Sequence, residues 1–373
     1  MSSAQGDQAY RQAGVDYAIL DEGKRRAVKA AVATSQHLTQ RGGEVQEASR
    51  GESAFVFKVD DQTTLAIVLE GLGTKSIIAR AVAEEGDSHF DDVAYDTVAA
   101  IINDLCCVGA RPLVVNAYFA TGTPEWFNHE EWHQQLIDGW FEACVDVGCT
   151  WGGGESPSLK ELVDDNEIEL AGSAVGVIPG GREAILGEHL KEGDEIVLIA
   201  SSGLHANGAS LARMIARDLD AGYATPLPSG TTFGEALLSR SYMYSELVES
   251  VLDSGLPVKY MSHLTGHGFL KLMRPTHEFT YRINQLLPVP EVLEFLVDKA
   301  SMSPRVAYST FNMGHGFAIY CGAGSGAEVV ASARKKRLEA IVAGVVESGP
   351  RNIVIEPLDI RYGSDELRLG PEQ

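Results

Sequence analysis

Apolar positions along the chain fall into two rhythms. Continuous short runs occur at TLAIVL (64–69), PLVVNAYF (112–119), EIVLIA (195–200), PVKYMSHL (257–264) and GFAIYC (316–321), and read as buried strands. Between many of them the spacing changes to that of helices. Ala94, Val98, Ile101, Leu105 and Val108 repeat as one buried face, predicting a helix over 91–108 that stops at Gly109 ahead of Pro112. Trp132, Leu136, Trp140, Cys144 and Val147 predict a second helix over 129–147, with Asn128 as N-cap, Glu131 three residues on and Gly148 as its end. Strands alternating with helices point to an α/β or α+β architecture. The polar, glycine-punctuated stretch PGGREAILGEHLKEGDE (179–195) reads as a connection between two domains, 1–180 and 181–373. AGYATPLPSGTTFG (221–234) reads as an excursion within the second.

Composition changes this picture little. A chain of 373 residues is long for one core and comfortable for two. No apolar run approaches the roughly 20 residues that span a bilayer, and the first residues lack a secretion signal, so the expectation is a cytoplasmic protein without membrane contact. The 52 acidic against 30 basic residues give a net charge of −22, which disfavours nucleic acid as a partner. Five cysteines without a Cys-x-x-Cys pair read as reduced core residues.

Candidate chemistry gathers where strands end. EGLGTK (70–75), WGGGES (151–156), SSGLHANG (201–208), HLTGHG (263–268) and NMGHG (312–316) are glycine turns. Glycine lets backbone N–H groups approach phosphate oxygens, and a helix starting after such a turn adds its positive end. One such turn answers only to corner geometry; five favour an extended anionic ligand. GLGTK does not have Walker A spacing, and no G-x-G-x-x-G follows a strand. Glu70, Asp96, Asp104 and Glu155 are the carboxylates placed to serve magnesium, which takes one or two carboxylates and bridges phosphates. Asp96 and Asn103 share one helical stripe, and Asp104 stands near a helix C-terminus where a cation would relieve repulsion. An exposed acidic face accounts for the same helix equally well. Lys75 reads either as a phosphate partner or as a surface lysine. His205, His263, His267 and His315 raise zinc as a lesser alternative.

Taken together these motifs resemble the aminoimidazole ribonucleotide synthetase (phosphoribosylformylglycinamidine cyclo-ligase) family. YRQAGVDYAIL (10–20), EGLGTK, YDTVAAIINDLCCVGARPLVVNAYFATG (95–122), GCTWGGGES (148–156), IASSGLHANGASLAR, HLTGHGF and STFNMGHGF are similar to its blocks and follow in its order. The resemblance implies an α+β N-terminal domain, dimerising through its sheet into a homodimer, and an α/β C-terminal domain, with ATP between them. It implies ring closure of formylglycinamidine ribonucleotide after ATP phosphorylates the amide oxygen. Asp104 and Glu70, with Glu155, would then serve Mg2+. Gly71, Gly73, Thr74 and Lys75, with Asp96 and Asn103, would hold the nucleotide, and His205, Asn207, Thr265 and Gly266 would face the substrate. The chain departs from the family pattern at Glu70 (Asp in the family), at His267 and His315, over 47–59 and in SPSLKELV after Glu155. The alternatives are a relative acting on a different amide or carbonyl, or a non-catalytic nucleotide-binding homologue. The selenophosphate branch is disfavoured because no cysteine precedes Cys106, and the cyanide-forming hydrogenase branch because the chain ends GPEQ.

Overall fold

The computed structural model describes residues 17–367, so the block at 10–16 lies outside the described residues. Helices α1 (Tyr17–Val32) and α2 (Ser35–Thr39) lead into a six-stranded sheet. Its strands are β1 (Glu44–Val45), β2 (Phe55–Lys58), β3 (Thr64–Gly71), β4 (Arg111–Thr121), β5 (Thr150–Glu155) and β6 (Ile168–Ile178), in the order β1-β2-β3-β6-β4-β5. All pairings are antiparallel except β4 with β5. Pro112, which cannot donate to the ladder, coincides with a register shift in the β4–β6 pairing. Helices α3 (Lys75–Glu85), α4 (Phe90–Cys106) and α5 (Glu130–Val147) complete this half.

The two predicted helices lie where the periodicity puts them, with Ala94, Val98, Ile101, Leu105, Leu136 and Trp140 all in the core. The predicted cap of the second is corrected. Asn128 closes a 3-10 turn, Pro124–Asn128, and His129 is the N-cap, without a side-chain cap bond. Gly148 does end that helix.

The second half is built on seven strands in the order β13-β12-β9-β11-β7-β10-β8. These are β7 (Glu195–Ala200), β8 (Val258–His263), β9 (Phe279–Ile283), β10 (His315–Cys321), β11 (Ala340–Ser348), β12 (Asn352–Ile355) and β13 (Ile360–Gly363). Only β9 and β12 pair in parallel. Helices α6 (Ala209–Asp218), α7 (Phe233–Leu238), α8 (Ser245–Asp253), α9 (Glu291–Lys299), α10 (Pro304–Tyr308) and α11 (Gly326–Lys335) complete this half, with α11 packed on β7 and β11. β10, between two partners, is buried at every position, which is why GFAIYC is apolar without alternation.

The halves meet along α3 and α4. α3 packs on α6 and α7, and α4 on α8 and β8. The chain at 240–244 runs beside α4 and is bonded to it repeatedly. Arg240 reaches Asp91 and Asp92 on α4 and Glu142 on α5, and its guanidinium lies over the Tyr95 ring. The Ser241 N–H donates to Asp96, while Asn103 donates to the Tyr242 carbonyl and accepts from the Tyr244 N–H, both at 2.9 Å. All five cysteines are free, and only Cys149 is more than slightly exposed. Among the described residues no helix is long and apolar enough to cross a membrane.

Candidate active site

β3 runs out into Glu70–Thr74, and α3 begins at Lys75. Gly73 makes the corner at φ +73°, with open space where a Cβ would be, so the requirement for glycine is conformational. Glu70, Gly71 and Gly73 are exposed and Thr74 is half-buried. Facing this turn from the other half is the start of α6, where Ser210 Oγ lies 3.1 Å from Thr74 Oγ1. Two helix N-termini, one from each half, therefore meet at one place. Their first N–H groups lack helical partners and carry the positive ends of two dipoles, an arrangement suited to phosphate.

SSGLHANG and HLTGHG close on the same place. The Lys75 ammonium bonds the His205 carbonyl at 3.1 Å, tying the first loop to α3. His205 holds φ +59°, a left-handed conformation uncommon outside glycine. Its Nε2 accepts from the Ser202 N–H at 3.2 Å, which leaves the proton on Nδ1, and Nδ1 has no hydrogen-bond partner among the described residues. Burial, with the charges of His263 and Lys75 nearby, holds His205 well below the usual histidine range, so it is neutral at pH 7. Asn207 is half-buried in the same loop.

HLTGHG is anchored through His263, whose Nδ1 lies 2.7 Å from Asp104 Oδ1. Burial works to raise the Asp104 carboxyl. The His263 bond and the charges of Lys271 and Arg274 outweigh it and keep it below the usual value. Thr265 is half-buried and Gly266 buried. The buried Lys271 donates to Thr265 Oγ1, and its ammonium feels both Asp104 and Glu70. Asp104, Thr265 and Lys271 thus gather at one corner of the junction, and the charge of Glu70 reaches Lys271 from the EGLGTK turn. NMGHG stands behind it: Asn312 accepts from Ser201 Oγ and donates to the Gly203 carbonyl, both at 2.9 Å, and so props the His205 loop.

Residues 51–178 match the family described as AIR synthase related protein, N-terminal domain, and residues 191–356 match its C-terminal domain. The chain belongs to the AIR synthase-related family. The phosphoribosylformylglycinamidine cyclo-ligase of Lachnospira eligens is 30% identical over 352 residues, covering 93% of this chain and 99% of that protein. Its namesake from Anaeromyxobacter sp. (strain K) is 34% identical over 349 residues, covering 91% and 96%. Among solved structures, T. maritima PurL complexed with ATP shares the fold at 17% identity and a TM-score of 0.56, over 85% of this chain and 46% of that one.

Four of the residues singled out in the sequence sit elsewhere than expected for ligand contacts in this AIR synthase-family chain. Lys75, Asp96 and Asn103 have no exposed surface. Lys75 is paired with Asp96, whose other oxygen accepts from Ser241, and Asn103 is bonded to 242–244. They join the two halves, which corrects both the nucleotide-contact reading and the exposed-acidic-face reading of α4. Glu155 ends the edge strand β5. It shares a row with Tyr118, Ala171 and Gly71, three strands from the EGLGTK turn and so about 14 Å away at ~4.8 Å per strand. One ion cannot be shared by Glu155 and Glu70 within this chain, and WGGGES is not part of the junction.

The departures from the family pattern also find places. His267 occupies a left-handed position at φ +70°. His315 is fully buried, donates to the Met313 carbonyl and accepts from the Leu287 N–H, and so belongs to the core. Within 47–59, Glu52 accepts from the Tyr260 hydroxyl at 2.7 Å and Ser53 from Arg274 at 2.7 Å, so this segment also seals the junction. Ser210, Lys271 and Arg274 had not been anticipated. Two cations in the apolar run FLKLMRP, directly behind a glycine turn in an acidic chain, are the signal that marks the last two.

Proposed function

We propose that this chain is an ATP-dependent cyclo-ligase. It converts formylglycinamidine ribonucleotide to aminoimidazole ribonucleotide: ATP phosphorylates the amide oxygen, releasing ADP, and the internal amine then attacks the activated carbon, closing the ring as the C–O bond breaks and inorganic phosphate leaves. The observation that supports this most is the agreement between the chemistry and the place. Cyclo-ligase relatives align over more than nine-tenths of the chain, and three glycine turns from both halves converge with two helix N-termini between them. Such a reaction needs a held phosphate, an oriented substrate and excluded water more than a nucleophilic side chain.

In this reading Gly71, Gly73 and Thr74, with the first N–H groups of α3 and α6, cradle the phosphates. Glu70 and Asp104 would hold a magnesium ion, because one or two carboxylates, completed by water and phosphate oxygens, are the donors it takes, and both act on Lys271 at the junction. When bound, that ion neutralises charge on the transferred phosphoryl group. Asn207, Thr265 and Gly266 position the ribonucleotide. His205, neutral with its N–H on Nδ1, donates to the oxygen on which charge develops. The open face of the first sheet serves a homodimer.

Purified protein incubated with formylglycinamidine ribonucleotide, ATP and magnesium is expected to yield ADP and aminoimidazole ribonucleotide in equal amounts. Binding of ATP with no turnover of this substrate would overturn the assignment.

A further inference from the structure

Lys271 lies in the 3-10 turn Gly268–Met273, which follows HLTGHG directly. The turn is held from several sides. The Tyr320 hydroxyl donates to the Leu272 carbonyl at 2.6 Å, and Arg274 just beyond donates to Ser53 at 2.7 Å. The Lys271 side chain is therefore fixed at its base, and its ammonium reaches Thr265 Oγ1.

An ammonium carries donors and no acceptor, so in this contact the threonine oxygen must accept. A hydroxyl has a single hydrogen, and with a lone pair committed to Lys271 that hydrogen points elsewhere. Lys271 is buried at 6% exposure, whereas Thr265 is only half-buried, so the free direction is the more open side of the junction. A positive charge behind the oxygen also makes the O–H a stronger donor. Holding a lysine out of water is costly, and a threonine that is only half-buried needs no such partner to be satisfied.

We propose that Lys271 is a positioning residue that fixes the Thr265 hydroxyl as a donor to an anionic ligand oxygen. This rests on the reading of the junction as a phosphoryl-transfer site. The oxygen belongs either to the ribonucleotide's phosphate or to ATP, which share this chemistry and are told apart by experiment.

The test is a double-mutant cycle read by equilibrium binding. Wild type, Thr265→Val, Lys271→Met and the double variant are titrated by calorimetry with Mg-ATP and, separately, with formylglycinamidine ribonucleotide. One of the two ligands is expected to lose about tenfold in affinity in each single variant, about 1.4 kcal/mol, with no further loss in the double. Thr265→Ser and Lys271→Arg, which keep the hydroxyl and a donor, are expected to retain most of the affinity. These two variants keep the question decidable if Lys271→Met does not fold. Losses that multiply in the double variant, unchanged affinity for both ligands, or Thr265→Ser behaving like Thr265→Val would overturn the proposal. A wild type that binds ATP but does not turn over the ribonucleotide overturns the proposed reaction alone, and the cycle is then read on ATP.

Discussion

Lys75 has no exposed surface, and its ammonium is shared between the Asp96 carboxylate of α4 and the His205 carbonyl of the other half. Removing one member of a buried pair leaves the other charge stranded in a low-dielectric interior. Lys75→Met is therefore expected to cost about 3–5 kcal/mol, seen as a lower denaturation midpoint, and Lys75→Met with Asp96→Leu to recover a large part of it. Recovery is the informative outcome, because a lysine needed only for phosphate would lose nucleotide affinity and leave the midpoint in place. A second residue-scale effect depends on pH. His89 and Asp92 are hydrogen-bonded at 2.9 Å at the start of α4. That bond raises the His89 pKa against the effect of burial. Burial pushes Asp92 up, but His89 and Arg240 outweigh it and hold its carboxyl low. A depressed carboxyl contributes its full stability above its unfolded pKa, about 3.9, and loses it as pH falls through the folded value. A raised histidine contributes fully below about 6.5 and loses it as pH rises through the folded value. The pair is thus strongest between about pH 4 and 6.5, and His89→Ala should lower the melting temperature more near pH 5.5 than near pH 8.5.

α5 lies so close to the start of α4 that a Cβ on Gly139 would stand 2.1 Å from the Asp91 carbonyl oxygen. Alanine would gain up to about 1 kcal/mol in helix propensity. The backbone atoms it meets cannot swing aside, so overpacking of about 1–3 kcal/mol wins, and Gly139→Ala should lower the unfolding midpoint. Nothing in the sequence around Gly139 announces this, because the stripe of Leu136, Trp140 and Cys144 reads the same whether side chains or a backbone pack beside it. The same limit runs through the elements. Periodicity placed helices α4 and α5, since burial of one face is a local pattern, and continuous apolar runs placed β3 and β10; of these β10 is buried throughout as expected, whereas β3 leaves Ile67 and Leu69 exposed. It misplaced the α5 cap, because Asn128 is drawn into a turn begun by Pro124. At the site, the exposed turn around Gly73 and Thr74 was legible as a strand-to-helix corner. The Thr74–Ser210 and Lys271–Thr265 contacts were not, the first because it spans 136 positions, the second because the run FLKLMRP marks Lys271 as unusual without saying which oxygen its ammonium meets. Gly73 itself gives a prediction at this scale. A side chain there meets no atom but must adopt φ +73°, so Gly73→Ala should cost about 1–2 kcal/mol and weaken ATP binding, measurable by calorimetry.

At the scale of the molecule, the two sheets are treated differently. The second is buried along the whole of its inner strand β10, whereas the first is covered on one face by α4 and α5 and leaves an apolar face open. Along β3, Ala66 and Val68 point inward while Leu65, Ile67 and Leu69 alternate outward, with Leu69 78% and Ile67 39% exposed. The register extends the row across neighbouring strands. Ile67 stands beside Phe55 and Val175, Val175 beside Val114, and Leu65 beside Phe57 and Val177. Contiguous apolar surface of this kind marks an interaction face, and a self-complementary sheet fits a two-fold partner. A chain of net charge −22 repels its copies over most of its surface, so a homodimer of the kind proposed above would form through this face. Ile67→Asp puts a carboxylate in the middle of the row, where each copy would bury it without a counter-charge. A stranded charge of this kind costs several kcal/mol, enough to raise the dissociation constant by two decades or more. Sedimentation should show the wild type as a dimer and Ile67→Asp as a monomer with unchanged circular dichroism, because position 67 is solvent-facing in the single chain. A monomeric wild type would mean that the open sheet face serves another purpose.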